Sequence, residues 1–337
     1  MMILATLCTI ASFETQKGAK NIALEETAES GGEFYDCEEN ILIPVNNLET
    51  TDELINLSVT VKSKHNKNGL FALNVINDNL PTEQSDKRAT KLLEKASIVA
   101  ASTDNYLHKL LRYEPNIAFG IIDVVKEHNI SDIIFGIHHK QSVKDSFLGD
   151  ITEHVISKSN TTIMIYRSTQ PLATIHRHII VVPENAEKEI GFSFWLIKVW
   201  NIARNTGAKI VFYAHHNSIK FIEEINKKHP IEASFVLFDD WNKIPDLKNT
   251  VKSDDCITFI MSRKENVSYN SIMRKIPNYL DNEFAKNCFI MVYPLQMGVA
   301  DDSTYDYLNP TMVEPVRSKL EKIDEIGSTI VKIFAKK

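Results

Sequence analysis

Short apolar runs rich in β-branched residues alternate with helix-compatible spacers along most of this chain, and the alternation begins twice. ILIPV (Ile41–Val45), LFALNVI (Leu70–Ile76), a run from Leu107 to Tyr113, DIIFG (Asp132–Gly136) and TIMIYR (Thr162–Arg167) make the first series. HIIVVP, KIVFYAH, ASFVLFDD, DCITFIMS and CFIMVYP, between His178 and Pro294, make the second. Strands that are apolar on both sides belong in a parallel sheet covered on both faces by helices. The two series open alike, since ILIPVNN and HIIVVPENAEKE align Pro44 with Pro183 and Asn46 with Asn185. The expected fold is therefore α/β, two tandem repeats of a parallel five-stranded open sheet with helices on both faces, at 41–168 and 177–295. A duplicated unit can also bury its exposed strand edges against one another. TIMIYR and CFIMVYP are the candidate edges, pairing within one chain as a pseudo-dimer or between two chains as a homodimer.

Within the first series a helix is expected around Ala89–Ala96, and Thr50 with Glu53 offers a capping box for another. With 43% hydrophobic residues in 337, the chain can bury two ordinary cores. A formal net charge of -6 argues against a nucleic-acid partner, whose binding surface is usually basic. Cys8, Cys37, Cys256 and Cys288 are scattered, with neither zinc nor disulfide spacing. The first 40 residues stand apart. MMILATLCTIASF is apolar but short of the roughly 20 residues that span a bilayer. It reads either as the end of a membrane helix or as a buried amphipathic helix, followed by a charged linker running to residue 40. Residues 301–337 read as a polar stretch and a terminal helix with a basic end.

The chemistry-bearing stretch is GIHHKQSVKDSFLGD, where a strand ends at Gly136 and a helix begins after Gly149. Glycines let backbone approach a phosphate closely, and a helix start favours an anion. DITE also makes Asp150 a plausible N-cap with Glu153 at the third helical position, which stabilises a helix by about 1 kcal/mol. That carboxylate would occupy the anion position itself.

The spacing Gly136, two residues, His139, nine residues, Gly149, Asp150 resembles the G-x-x-G-x9-G-[ST] nucleotide loop of the universal stress protein family. ILIPVNN is similar to that family's first strand. The resemblance implies the adenine nucleotide alpha hydrolase-like fold and a pocket for ATP, AMP or another adenine nucleotide. Asn46 would lie near ribose and adenine, Val75 beside the base, and Gly136, His139, Gly149 and Asp150 along the phosphates. Asn46 replaces the family's Asp, His139 its second Gly, and Asp150 its Ser or Thr, so a triphosphate is poorly served. The second series has no glycine loop: its fourth strand leads into MSRKENVSYNSIMRK, where Arg263, Lys264, Arg274 and Lys275 read as a solvated basic face.

A narrower resemblance runs from Met1 to about Ala214, through MMILATLCTIASFETQKGAK, RYEPNIAFGIIDVVKEHNISDIIFGIHHK, STQPLATIHR and VVPENAEKEIGF. These segments are similar to the C-terminal cytoplasmic region of bacterial sodium/proton (cation:proton) antiporters that carry tandem universal stress domains. It implies a regulatory module at the cytoplasmic face of the inner membrane, partnered by the transporter's membrane domain; the alternative is a ligand-free structural or dimerisation domain of the transporter, or a stand-alone stress protein. His138–His139 and His215–His216 read as exposed polar residues, with pH sensing as the functional alternative. No G-x-S-x-G elbow, P-loop lysine or clustered carboxylates at metal spacing is present, so neither an enzyme nor a metal site is expected.

Overall fold

The computed structural model describes residues 39–78, 83–137, 148–296 and 325–334. The apolar N-terminus, nearly all of the linker up to residue 40, the loop pair His138–His139 and most of the 301–337 tail lie outside the described residues. Among the described residues no helix is long and apolar enough to cross a membrane.

The first half runs β1 (Ile41–Pro44), α1 (Leu48–Val61), β2 (Leu70–Ile76), α2 (Glu83–Ala101), β3 (Leu107–Tyr113), α3 (Ile117–Glu127), β4 (Asp132–Gly136), α4 (Asp150–Lys158) and β5 (Thr162–Arg167). The second runs β6 (Arg177–Val181), α5 (Phe192–Thr206), β7 (Lys209–Ala214), α6 (His216–Lys228), β8 (Ala233–Leu237), a 3-10 stretch (Trp241–Asn249), β9 (Asp255–Ile260), α7 (Ile276–Asn282) and β10 (Cys288–Tyr293). A last helix, α8 (Glu325–Phe334), packs on α5 and α6, burying Ile326, Ile330 and Ile333. Thr329 on α8 shares a 2.7 Å hydrogen bond with the ring of His229.

The helix expected around Ala89–Ala96 extends over Glu83–Ala101. The Thr50–Glu53 capping box is not used. Asn47, extended at φ -137, caps α1 by accepting from Glu49 N at 2.9 Å, so the helix starts upstream of Thr50. Glu53 instead accepts from Leu172 N at 2.9 Å, tying α1 to the connector between the halves.

Among the described residues the strands join one ten-stranded sheet in the order β3-β2-β1-β4-β5-β10-β9-β6-β7-β8. Pairing is parallel except between β5 and β10, which are antiparallel from Ile163↔Tyr293 to Arg167↔Phe289. Helices cover both faces. Ile41, Ile43, Leu70 and Ala72 pack with α1, α2, α5 and α6, while Leu42, Phe71 and Leu73 pack with α3, α4 and α7.

Two buried arginines repeat one device on either side of the β5–β10 seam. Arg167, at the end of β5, donates to the carbonyls of Leu280 and Phe284, each at 3.1 Å, and pairs with Asp281, all at the end of α7. Arg263 donates to the carbonyls of Ile156 at 3.3 Å, Ser159 at 3.1 Å and Pro294 at 2.5 Å. Each guanidinium thus satisfies carbonyls at the C-terminus of the other half's last helix, where cations are favoured. Arg263 is therefore not part of a solvated basic face; burial brings its pKa down to about 10, leaving it cationic at neutral pH. Lys264, Arg274 and Lys275 are exposed.

The halves are also joined by buried charge. Lys198 of α5 contacts Glu39 and lies 3.0 Å from Asp132 at the start of β4, and all three side chains are at most 5% exposed. Glu39 also accepts from Ser63 N at 2.9 Å. The acidic linker read from the sequence thus ends in a core residue. Burial pulls the Lys198 pKa down, but Asp132 and Glu39 more than reverse it, and the net shift is upward. One turn and two turns further along α5, Asn201 and Asn205 donate to the carbonyls of Val61 and Thr60 at the end of α1. Lys198→Met leaves two buried carboxylates without a counter-charge and is expected to cost about 3–5 kcal/mol, read as a lowered urea midpoint.

His178 on β6 sits in register beside Cys256 on β9, itself beside Cys288 on β10, and all three are fully buried. Neither ring nitrogen of His178 has a hydrogen-bond partner. Burial lowers its pKa to about 4, and Asp255 only partly opposes this. Below the ordinary value of 6.5 the unfolded chain takes up a proton that the folded chain refuses, so stability falls as pH drops from 6.5 toward 4. This residue alone is expected to remove about 3 kcal/mol over that window. Urea melts of His178→Leu against the parent at pH 7.5 and pH 4.5 check this, the variant losing less stability on acidification.

Candidate functional site

In a parallel open sheet the crevice for a ligand lies where strand order reverses, beyond the carboxyl ends of the strands. In the first half that place is between β1 and β4, because β2 and β3 extend to one side of β1 and β4 and β5 to the other. Pro44 pairs with Leu73 and Leu42 with Ile133, and extending these registers sets Asn46 level with Val75 and Val45 level with Gly136. Asn74 fastens the turn by donating to Val45 O at 2.6 Å. The helix α4 runs back to the start of β5, so its own N-terminus lies on this same rim. Asn46, Val75, Gly136, Gly149 and Asp150 are therefore gathered at one end of the sheet, and His139 lies outside the described residues.

The two glycines are required for different reasons. A Cβ on Gly136 would come within 2.9 Å of Leu54 Cδ1, a buried side chain of α1, so the strand end passes close beneath that helix. Gly149 has open space around it but sits at φ 77, ψ 146, a conformation essentially reserved for glycine. It occupies the N-cap position of α4 with no side-chain cap, and Asp150 is the first helical residue. Asp150 is thus not the N-cap, because the positive φ of Gly149 already turns the chain into the helix. Its exposed carboxylate, with Glu153 in the same turn, still complements the helix dipole at the position where a phosphate would sit.

Val75 is half-buried and packs toward α3, where a Cβ on Gly120 would meet its Cγ1 at 3.1 Å. Sequence reasoning missed Arg88. From the exposed side of α2 its Nη2 donates to the carbonyl of Asn46 at 3.2 Å, which brings a guanidinium to this rim. Nothing local signals that role, since Arg88 is one of several cations on the polar side of α2.

In the second half the equivalent crevice, between β6 and β9, is filled from within. Glu189 accepts from both Ser268 N at 2.9 Å and Ser268 Oγ at 2.6 Å. A Cβ on Gly191 would lie 2.4 Å from the carbonyl of Leu295, so the chain leaving β10 crosses tightly there. His215 plays a structural part, because its ring accepts from Asn217 N at 3.4 Å and so caps α6. Among the described residues no group of three His, Cys, Asp or Glu is placed to hold a metal.

Gly149→Ala is expected to cost about 1–3 kcal/mol from backbone strain alone, since its surroundings leave room for a methyl group. A urea melt measures the loss, with an unchanged circular dichroism spectrum confirming that the fold persists.

Residues 38–167 match the model of the Universal stress protein family. No curated protein matches the sequence. The fold is similar to that of a universal stress protein from Archaeoglobus fulgidus DSM 4304, at 14% identity and a TM-score of 0.52, covering 80% of this chain and 99% of that one. It is also similar to the cytoplasmic domain of a prokaryotic cation chloride cotransporter, at 11% identity and a TM-score of 0.50, covering 78% of this chain and 97% of that one. The stretch from 38 to 167 thus matches the universal stress protein family, within an α/β architecture similar to that fold.

Proposed function

We propose that this chain is a cytoplasmic regulatory domain of a sodium/proton antiporter, whose first repeat binds an adenine nucleotide or similar small ligand and thereby modulates monovalent cation/proton exchange. The observation that carries the binding half is Gly149, held in a glycine-only conformation at the start of α4, on the rim where β1 and β4 diverge. That geometry leaves a tight backbone turn on the ligand rim, in the segment that matches the universal stress protein model. The transport half is supported by the resemblance of the chain from Met1 to about Ala214 to antiporter tails. It is also supported by the use of a similar fold as the cytoplasmic domain of a cation chloride cotransporter. On this reading the protein works at the cytoplasmic face of the inner membrane, partnered by a membrane transport domain.

Asp150 shapes the ligand. An exposed carboxylate on the helix start repels the added charge of a triphosphate, which favours AMP or adenosine over ATP. The domain acts here by binding, with no catalytic step.

A second reading, a ligand-free element that assembles the transporter, is favoured by the internally filled crevice of the second half. A thermal-shift titration of the full chain with ATP, ADP, AMP and adenosine separates the two. Saturable binding is expected to add about 2.7 kcal/mol at a hundredfold excess over Kd. Asp150→Ser is expected to strengthen the response to ATP. No shift from any ligand, in parent or variant, leaves the assembly reading standing.

A further inference from the structure

We infer that Arg88 recognises the anionic group of the ligand, and that this ligand is a nucleoside monophosphate whose phosphate lies on the β1 side of the crevice, away from α4. The inference rests on the nucleotide reading of the first repeat.

The charges on the rim divide it. On the α4 side stand Asp150 and Glu153, both in the first turn of that helix, so the position given to phosphate by the resemblance is already negative. On the β1 side stands Arg88, bonded through Nη2 to the backbone carbonyl of Asn46. Two other cations on α2 are committed to carboxylates: Lys87 pairs with Glu83 at 2.6 Å and Lys95 with Asp52 at 2.8 Å. Arg88 has no ion pair among the described residues, and the bond it makes there is to a neutral oxygen.

A guanidinium carries five N–H donors in a planar fork that suits a phosphate. One donor holds it against Asn46, and the others have no partner among the described residues, which leaves them to a ligand. Asn46 is the residue that the resemblance sets beside ribose, so a phosphate reaching Arg88 is one carried near the sugar. A chain of phosphates running toward α4 would instead meet Asp150. The two sides of the rim therefore select for a compact anion close to the ribose.

The test is isothermal titration of the full chain with AMP and with adenosine, for the parent, Arg88→Ala and Arg88→Lys. AMP is expected to bind the parent more tightly than adenosine. Arg88→Ala is expected to weaken AMP by about tenfold or more, the scale of a lost charge-assisted contact, and to leave adenosine within about twofold. Arg88→Lys, which keeps charge and loses the fork, is expected to fall between. Equal weakening of AMP and adenosine by Arg88→Ala, or of neither, overturns the assignment of Arg88 while leaving the nucleotide reading intact. Failure of the parent to bind either ligand overturns both.

Discussion

The antiparallel ladder between β5 and β10 is the contact on which the rest of the molecule depends. Parallel strands within each half are joined by helical crossovers, so each half alone ends in an open edge of apolar residues. Pairing TIMIYR with CFIMVY closes both edges at once and makes ten strands a single sheet. It also reverses the direction of the second half relative to the first. The two switch-point crevices consequently open on opposite rims, and each rim carries the strand ends of one half beside the strand beginnings of the other. Arg167 and Arg263 exploit this reversal, because it brings the last helix of each half within reach of the other half's strand ends.

The halves have diverged in what they do with the same architecture. The first keeps a glycine with a positive φ at the start of α4 and a rim bearing both signs of charge. The second has turned the equivalent space into packing, where the N–H and hydroxyl of Ser268 donate to the chain's own Glu189 carboxylate in place of any external anion. The buried aspartates show a similar asymmetry. Asp255, opening β9, is neutralised within its own half by Arg177, through a 2.9 Å bond from Nε. Asp132, opening β4, draws its counter-charge from Lys198 in the other half. The half that carries the candidate site is the one that needs its neighbour.

Strands were the most legible feature of the sequence, because strands covered on both faces read as continuous apolar runs that few other structures produce. The Gly136–Gly149 spacing was legible too, since it is a local pattern with a backbone consequence. Caps were read less well. Thr50 and Glu53 fit a capping pattern, but Asn47 competed for the helix start and Glu53 found a partner at Leu172. Asp150 fit an N-cap pattern that the turn at Gly149 displaced. What the sequence hid was long-range. Lys198 and Glu39 are 159 positions apart, and Arg167 and Asp281 are 114 apart, so no local window contains the reason for either charge. Arg88 was hidden for the same cause: its place on the rim is set by how α2 lies against the turn after β1.

The position of Glu39 has a mechanical consequence. It stands two residues before β1, so tension drawn along the backbone into β1 passes through it. Because its carboxylate is held by Lys198, part of that load passes directly into α5 of the second half. Through Asp132 another part passes into β4, whose far end is Gly136. A pull at one residue is thus divided between two halves, and part of it enters the first residue of β4, one of the two strands that border the candidate site.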